Sequence, residues 1–143
     1  MNVLIVEDEY HAAERLRNQL KSLDQQIEVL GVAPSIAEAV KLLQVNPPDL
    51  VFLDIQLSDG LCFGIFEKVI PKWPVIFTTA YDQYAIKAFE LHSIAYLLKP
   101  IKKEELAAGL LKFHQMRQLF QADVDLIARD MVAGTKYFKK RFW

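Results

Sequence analysis

The 143-residue chain lacks several features that mark secreted or membrane-bound proteins. Its one cysteine, Cys62, cannot form an internal disulfide, which agrees with a reducing compartment. The first residues become acidic at Glu7, so the start has no signal-peptide pattern. No apolar run approaches the length that spans a membrane. We therefore expect a soluble cytoplasmic protein that makes no membrane contact.

The chain also lacks a dominant charge and the common ligand motifs. The chain has seventeen Lys and Arg residues and eighteen Asp and Glu residues. Its net charge is therefore −1, which gives no overall signature of nucleic-acid binding. The glycine-rich phosphate loop of nucleotide-binding proteins is absent. His11, His92 and His114 are scattered and do not have the spacing of metal ligands. Any ligand site must therefore be built from other side chains.

Short apolar runs alternate with amphipathic segments along the first 120 residues. Five β-leaning runs are present, and all but the second end in polar residues, as parallel strands buried on both faces do. They lie at residues 3–6, 27–33, 49–54, 74–79 and 94–98. Helical spacing of apolar residues predicts a helix after each strand. This alternation is typical of a single α/β domain with a parallel sheet and right-handed crossovers.

Local signals predict where several of the helices begin and which side they bury. Ser35 with Glu38 three residues later matches a capping box, which predicts the start of the second helix. In the third helix, Phe63, Phe66 and Ile70 are expected on the inner side. The fourth helix is predicted over residues 82–90, and the last from about Lys102 to at least residue 119.

A helical pattern continues beyond the α/β domain, which is predicted to span residues 1–120. Val124, Ile127 and Met131 keep helical spacing, so residues 121–135 are expected to form a linker that is either a partner-binding helix or flexible. Residues 136–143 mix four cations with four aromatic residues. They are expected to form either a disordered tail or the first strand of a further, truncated domain.

Carboxylates follow the first and third predicted strands. Glu7 and Asp8 come after the first strand, and Asp54 ends the third. In a doubly wound sheet these strands are neighbours, so the three side chains should project into one crevice. Because close carboxylates repel each other, we expect a divalent cation between them, and Mg²⁺ suits such oxygen ligands. Asp8, Asp54 and the backbone carbonyl of Gln56 are predicted as direct ligands, with Glu7 acting through a water molecule.

The next two strands add a hydroxyl group at Thr79 and an ammonium group at Lys99. This set fits phosphoryl transfer onto Asp54: the metal neutralises the incoming oxygens, Lys99 pairs with one of them, and Thr79 hydrogen-bonds another. A lone Asp or Lys at such a position is usually a solvated surface group. The prediction therefore depends on four strand ends that supply compatible groups.

Residues 1–120 resemble the receiver domains of two-component response regulators. The matching motifs are Glu7-Asp8, Pro48–Ile55, Gly60, Thr79-Ala80 and Tyr96–Pro100. The resemblance implies a flavodoxin-like (βα)5 sheet, doubly wound in the order 2-1-3-4-5. It also implies that Asp54 receives phosphate from a histidine kinase, and that the Lys99–Pro100 peptide bond is cis.

Residues 78–90 and 96–101 are similar to receivers of the LytTR (LytR/AlgR) class, in which the receiver is joined to a β-rich DNA-binding domain. This likeness implies that residues 136–143 begin such a domain, and that only the missing part would contact DNA. The chain departs from the class at Ala95, where Asp is common. It departs again at Leu57-Ser58, which replaces Met-Pro in a shortened loop.

The family likeness also implies a switch. Thr79 turns toward the phosphate, Tyr96 swings inward, and the face formed by the fourth helix, fifth strand and fifth helix changes, which we expect to drive homodimerisation. Two alternatives stay open: a stand-alone receiver that docks to a protein partner, and a Mg²⁺-dependent aspartyl phosphatase. Such phosphatases carry a second Asp two residues after the nucleophile, where this chain has Gln56. We expect no enzyme activity beyond turnover of the domain's own phosphate.

Overall fold

A computed structural model describes residues 1–70, 72–90 and 93–132 of the chain. The strands are β1 (Asn2–Val6), β2 (Glu28–Ala33), β3 (Leu50–Asp54), β4 (Gln56–Leu57), β5 (Gly60–Leu61), β6 (Val75–Thr79) and β7 (Ala95–Leu98). The α-helices are α1 (Tyr10–Leu23), α2 (Ile36–Val45), α3 (Ala85–Glu90) and α4 (Lys103–Val132). Two 3-10 helices span Cys62–Glu67 and Asp82–Tyr84.

Five strands form one parallel sheet in the order β2-β1-β3-β6-β7. Counted along the chain among these five, the order is 2-1-3-4-5, which confirms the predicted doubly wound, flavodoxin-like fold. The central strand β3 is buried at all five positions. Because the strands are parallel, their carboxyl ends meet at one edge of the sheet, and the predicted site residues lie at that edge.

The core forms where apolar strand residues meet the inner faces of the helices. Phe52 and Phe77 are fully buried in the sheet, and complete burial of such a side chain contributes about 1.5–3 kcal/mol. Helix α1 buries Ala13, Leu16 and Leu20 against the sheet side of the core. The cap of α2 is confirmed, since Ser35 Oγ accepts a hydrogen bond from the backbone N–H of Glu38 at 3.2 Å.

The third predicted helix is shorter and more tightly wound than expected. It is a 3-10 helix that ends at Glu67. Phe63 and Phe66, three residues apart, pack against the core as predicted. Ile70 lies beyond the helix and is 76% exposed, so its predicted inward position is wrong. A 3-10 helix has about 3.0 residues per turn, so a face drawn with the α-helical period misplaces its later residues.

Helix α4 runs without interruption from Lys103 to Val132, so the predicted linker is helical as far as residue 132. The chain divides into two compact units, Met1–Gly109, which holds the sheet, and Leu110–Trp143. The domain boundary at residue 120 stays a prediction. Residues 136–143, predicted as a strand or tail, lie outside the described residues. None of the described helices is long and apolar enough to cross a membrane.

Cys62 is fully buried at the start of the first 3-10 helix, and its backbone N–H donates to the carbonyl of Ile55 at 2.7 Å. Burial raises the pKa of its thiol far above the ordinary value. Because the thiolate is the reactive form, we expect iodoacetamide at about pH 8 to leave Cys62 unmodified in the folded protein. Mass spectrometry should find complete alkylation only after unfolding in guanidinium chloride. Fast modification of the folded protein would contradict this prediction.

Candidate functional site

Asp54 ends the central strand β3 and is 5% exposed. Its Oδ1 accepts a hydrogen bond from the backbone N–H of Gln56 at 3.3 Å, and its Oδ2 accepts one from Lys99 Nζ at 3.0 Å. The apolar run that precedes Asp54 fixes its backbone within the sheet, where it pairs in register with Thr78 of β6. A single carboxylate is therefore held at the edge of the sheet with both oxygens engaged.

Three carboxylates meet at this edge, as predicted. Oxygen atoms of Glu7, Asp8 and Asp54 all lie within 4.8 Å of one another, with Glu7 and Asp54 buried and Asp8 exposed. Burial raises the pKa of the Glu7 carboxyl, and Asp54 adds to this rise while Lys99 opposes it. Burial and the nearby Glu7 also raise the pKa of Asp8. The cluster concentrates negative charge that a cation would stabilise.

Lys99 follows strand β7 and reaches back between two of these carboxylates. Its Nζ donates to Glu7 Oε1 and to Asp54 Oδ2. Burial disfavours the ammonium, but the hydrogen bonds to Glu7 and Asp54 outweigh burial and raise the pKa of Lys99. The backbone N–H of Lys99 donates to the carbonyl of Thr79 at 2.7 Å, and the Lys99–Pro100 bond is cis, as the resemblance implied.

Glu7 has protein partners at both carboxylate oxygens. Oε1 accepts from Lys99, and Oε2 accepts from the backbone N–H of Glu9 at 3.1 Å. These bonds compete with direct metal ligation by Glu7, and its role through a water molecule stays a prediction. Asp8 is the exposed member of the cluster, which suits it to direct ligation.

The side chains of Thr79 and Tyr96 both bond to the backbone of Tyr81. The fully buried Thr79 accepts at Oγ1 from the backbone N–H of Tyr81 at 3.2 Å. The hydroxyl of the half-buried Tyr96 donates to the carbonyl of the same Tyr81. Burial raises the pKa of Tyr96, which therefore stays protonated at neutral pH. Sequence reasoning missed Tyr81 because it acts through its backbone.

Gln56 begins a short antiparallel pair, β4 with β5, where the sequence predicted only a shortened loop. Its backbone N–H bonds Asp54, and its side-chain Nε2 donates to the hydroxyl of Tyr84 at 3.2 Å. The metal role of its carbonyl stays a prediction. Tyr84 had no signal in the sequence, since its contact with Gln56 crosses 28 positions of the chain.

The donor set fits a hard divalent cation. Carboxylate oxygens are the ligands that Mg²⁺ prefers, and Mg²⁺ keeps several waters when one or two carboxylates bind it. The exposed Asp8 opens the cluster to solvent. Beside Lys99, a cleft of about 400 Å³ is lined by residues of α1 and of the turn after β7, among them His11, Arg15 and Pro100. A cation can therefore reach the cluster through the exposed Asp8.

Comparisons with known proteins agree with this geometry. The response regulator receiver domain model matches residues 3–111. The sensory transduction protein LytT of Bacillus anthracis is 39% identical over 121 residues, which cover 82% of this chain and 49% of the relative. The transcriptional regulatory protein BtsR of Salmonella typhi is 38% identical over 135 residues, 93% of this chain and 55% of the relative. The chain thus spans about half the length of these curated relatives.

A solved structure gives the same result for the fold. The response regulatory domain of protein mrkE from Klebsiella pneumoniae superposes with a TM-score of 0.71 and 30% sequence identity. The match covers 80% of this chain and 96% of that domain. Sequence, fold and the carboxylate–lysine cluster thus point the same way, and the chain belongs to the family of response regulator receiver domains, the phosphorylation-dependent switches of two-component signalling.

Proposed function

We propose that Asp54 accepts the phosphoryl group from a histidine kinase. The observation that carries this proposal is the position of Lys99 Nζ, 3.0 Å from Asp54 Oδ2, at an edge that also holds Glu7 and Asp8. The carboxylate attacks the phosphorus atom of a phosphohistidine, a P–O bond forms as the P–N bond breaks, and the imidazole leaves with the electron pair. Lys99 is already in place to pair with a phosphate oxygen.

Asp8, Asp54 and the Gln56 carbonyl would hold Mg²⁺, with Glu7 contributing through a water molecule. The bound ion supplies charge neutralisation for the phosphate oxygens. Lys99 shares its ammonium between Glu7 and Asp54, so new phosphate oxygens compete with Glu7 for its hydrogen bonds. Before phosphorylation, Lys99 therefore forms an ion pair with the buried Glu7. After phosphorylation, its ammonium becomes available to donate to the phosphate.

The bonds at Tyr81 support a route from the phosphate to the surface. Phosphorylation adds nearly two negative charges, which favour rotation of the Thr79 hydroxyl away from the Tyr81 N–H and toward the phosphate. The Tyr81 segment also holds the Tyr96 hydroxyl, so a shift of Tyr81 changes the surroundings of Tyr96. We propose that Thr79 and Tyr96 are the switch residues and act through this shared segment.

Phosphorylation is proposed to drive homodimerisation through the face formed by α3, β7 and the start of α4. Leu98 of β7 supports an interface there, since it is 43% exposed. The relatives LytT and BtsR are named as sensory transduction and transcriptional regulatory proteins, and this chain covers only about half of each. We therefore propose that the intact protein is a cytoplasmic transcription regulator that binds DNA through a domain beyond residue 143. The free thiol of Cys62 supports the cytoplasmic location.

Beryllofluoride with Mg²⁺ tests the proposal, because this anion mimics a phosphoryl group on a carboxylate. At about one hundred times its dissociation constant, a ligand stabilises the folded state by about 2.7 kcal/mol. For a domain of this size the melting temperature should rise by about 10 °C. Differential scanning calorimetry measures the rise, and sedimentation velocity should detect a new dimer. An unchanged melting temperature with saturating beryllofluoride and Mg²⁺ would reject Asp54 as the acceptor.

A further inference from the structure

The hairpin formed by β4 and β5 connects the phosphate acceptor to helix α2. Its first residue, Gln56, bonds Asp54 through the backbone N–H at 3.3 Å. The hairpin turns at Ser58 and Asp59, and Gly60, which begins β5, has a φ of 138° that favours glycine. Its base is closed by the backbone N–H of Cys62, which donates to the carbonyl of Ile55 at 2.7 Å. A movement of this hairpin would therefore move the backbone of Gln56.

Asp59, at the tip of the hairpin, is bonded to the first turn of α2. Its Oδ1 accepts from the backbone N–H of Ile36 at 2.9 Å, and its Oδ2 accepts from that of Ala37 at 3.3 Å. These N–H groups have no partner within the helix. The bond from Ile36 is the main reason that the pKa of Asp59 is lowered, so the carboxylate is ionised at neutral pH. Ser35, which precedes α2 directly, provides a second cap for this helix. Its Oγ accepts a hydrogen bond from the backbone N–H of Glu38.

Packing holds the hairpin on the same part of α2. A Cβ atom added to Gly60 would lie 3.4 Å from Ile36 Cδ1, and one added to Gly64 would lie 3.5 Å from it. Ser58 Oγ also lies 3.5 Å from the carbonyl of Pro34. The hairpin and the start of α2 therefore contact each other through carboxylate bonds, a hydroxyl and close apolar approach. Of these contacts, only those of Asp59 carry a charge.

We propose that Asp59 is a positioning residue for the metal site: it anchors the hairpin to α2 and thereby fixes the backbone of Gln56 against Asp54. This inference rests on the proposed function, in which the Gln56 carbonyl is a metal ligand. Mg²⁺ demands near-ideal octahedral geometry, so a displaced ligand carbonyl weakens binding. Loss of residues that orient metal ligands typically weakens affinity about 10–100-fold. Through Asp59, helix α2 thus helps to hold the backbone of Gln56 in place beside Asp54.

The two caps of α2 offer a matched comparison. Asp59→Ala and Ser35→Ala each remove side-chain bonds from the first turn of α2, but only Asp59→Ala removes bonds between α2 and the hairpin. Isothermal titration with Mg²⁺ should show about tenfold weaker binding for Asp59→Ala and wild-type affinity for Ser35→Ala. Asp59→Asn keeps one acceptor oxygen for Ile36 and should fall between, which also covers the case in which Asp59→Ala does not fold. Equal affinities in both alanine variants would overturn the anchoring role.

A second readout needs no metal. In EDTA, amide hydrogen exchange of Gln56 should be faster in Asp59→Ala and in Asp59→Asn than in the wild type, and unchanged in Ser35→Ala. Unchanged exchange of Gln56 in both Asp59 variants would overturn the inference and leave the proposed function intact. A wild-type protein that binds no Mg²⁺ would overturn both. Loss of Mg²⁺ affinity together with faster Gln56 exchange, confined to the Asp59 variants, would support both.

Discussion

Asp54→Asn is expected to abolish phosphorylation by acetyl phosphate, while the wild type takes up close to one phosphoryl group per chain. The neutral amide lacks the negative charge that attacks phosphorus, and it is a poorer metal ligand. The fold should persist, because Asn has nearly the same shape and Lys99 keeps its bond to Glu7. Removing one of three clustered carboxylates also relieves repulsion, so the melting temperature without Mg²⁺ should not fall.

Intact-mass spectrometry measures the uptake, and Asp49→Asn is a matched control just before the same strand. Asp49 precedes β3 at its opposite end, where its Oδ2 accepts from the backbone N–H of Asn2 at 2.7 Å. This variant should be phosphorylated like the wild type. Persistent uptake by Asp54→Asn would assign the acceptor to another carboxylate, and Asp8 would be the first to test because it shares the cluster.

The site could be predicted because it depends on strand ends. Apolar runs that stop at Glu7 and Asp54 mark strands that are buried on both faces and end at a polar edge. Parallel order then brings those ends together whatever the details of the helices, so the cluster of Glu7, Asp8, Asp54 and Lys99 follows from the strand pattern. The structure confirms their proximity. The roles assigned to them in phosphorylation stay predictions.

The contacts that were missed depend on tertiary structure. Strands of two residues, such as β4 and β5, are too short to leave an alternating pattern. Asp59 contacts Ile36 across 23 positions, and no local rule pairs them. Ile70 was misplaced because six residues are too few to distinguish a 3-10 from an α-helical period. The bond of the Tyr96 hydroxyl could not be predicted because its partner is a backbone carbonyl, which the sequence does not mark.

These missed contacts share one property: they join the surroundings of Asp54 to other parts of the domain. Asp59 reaches α2, and Gln56 reaches Tyr84 beside α3. Strand ends thus determine which chemistry is available. Bonds across the fold, to backbone groups or to other side chains, join this site to the neighbouring elements. The carboxylate cluster could therefore be found from the sequence, whereas the hairpin bonded to it required coordinates.

Lys99→Met is expected to have the second largest effect. Without the ammonium, the buried carboxylates of Glu7 and Asp54 face each other with no protein cation between them. Removing one partner of a fully buried pair costs about 3–5 kcal/mol; since 23% of the Lys99 side chain is exposed, we expect a smaller loss of about 1–3 kcal/mol. Protonation removes the unpaired charge, so the loss should shrink as the pH falls toward the raised pKa of Glu7.

Mg²⁺ and beryllofluoride should respond to this substitution in opposite directions. The cation gains affinity, because a positive charge has left its site, and Mg²⁺ should restore most of the lost stability. The anion loses the donor that pairs with it, so its affinity should fall about 100–1,000-fold. Lys102→Met, which removes an exposed lysine three residues away, should change neither. The shift in melting temperature with each ligand measures both affinities. An unchanged beryllofluoride affinity would show that Lys99 stabilises the carboxylates but does not bind the phosphate.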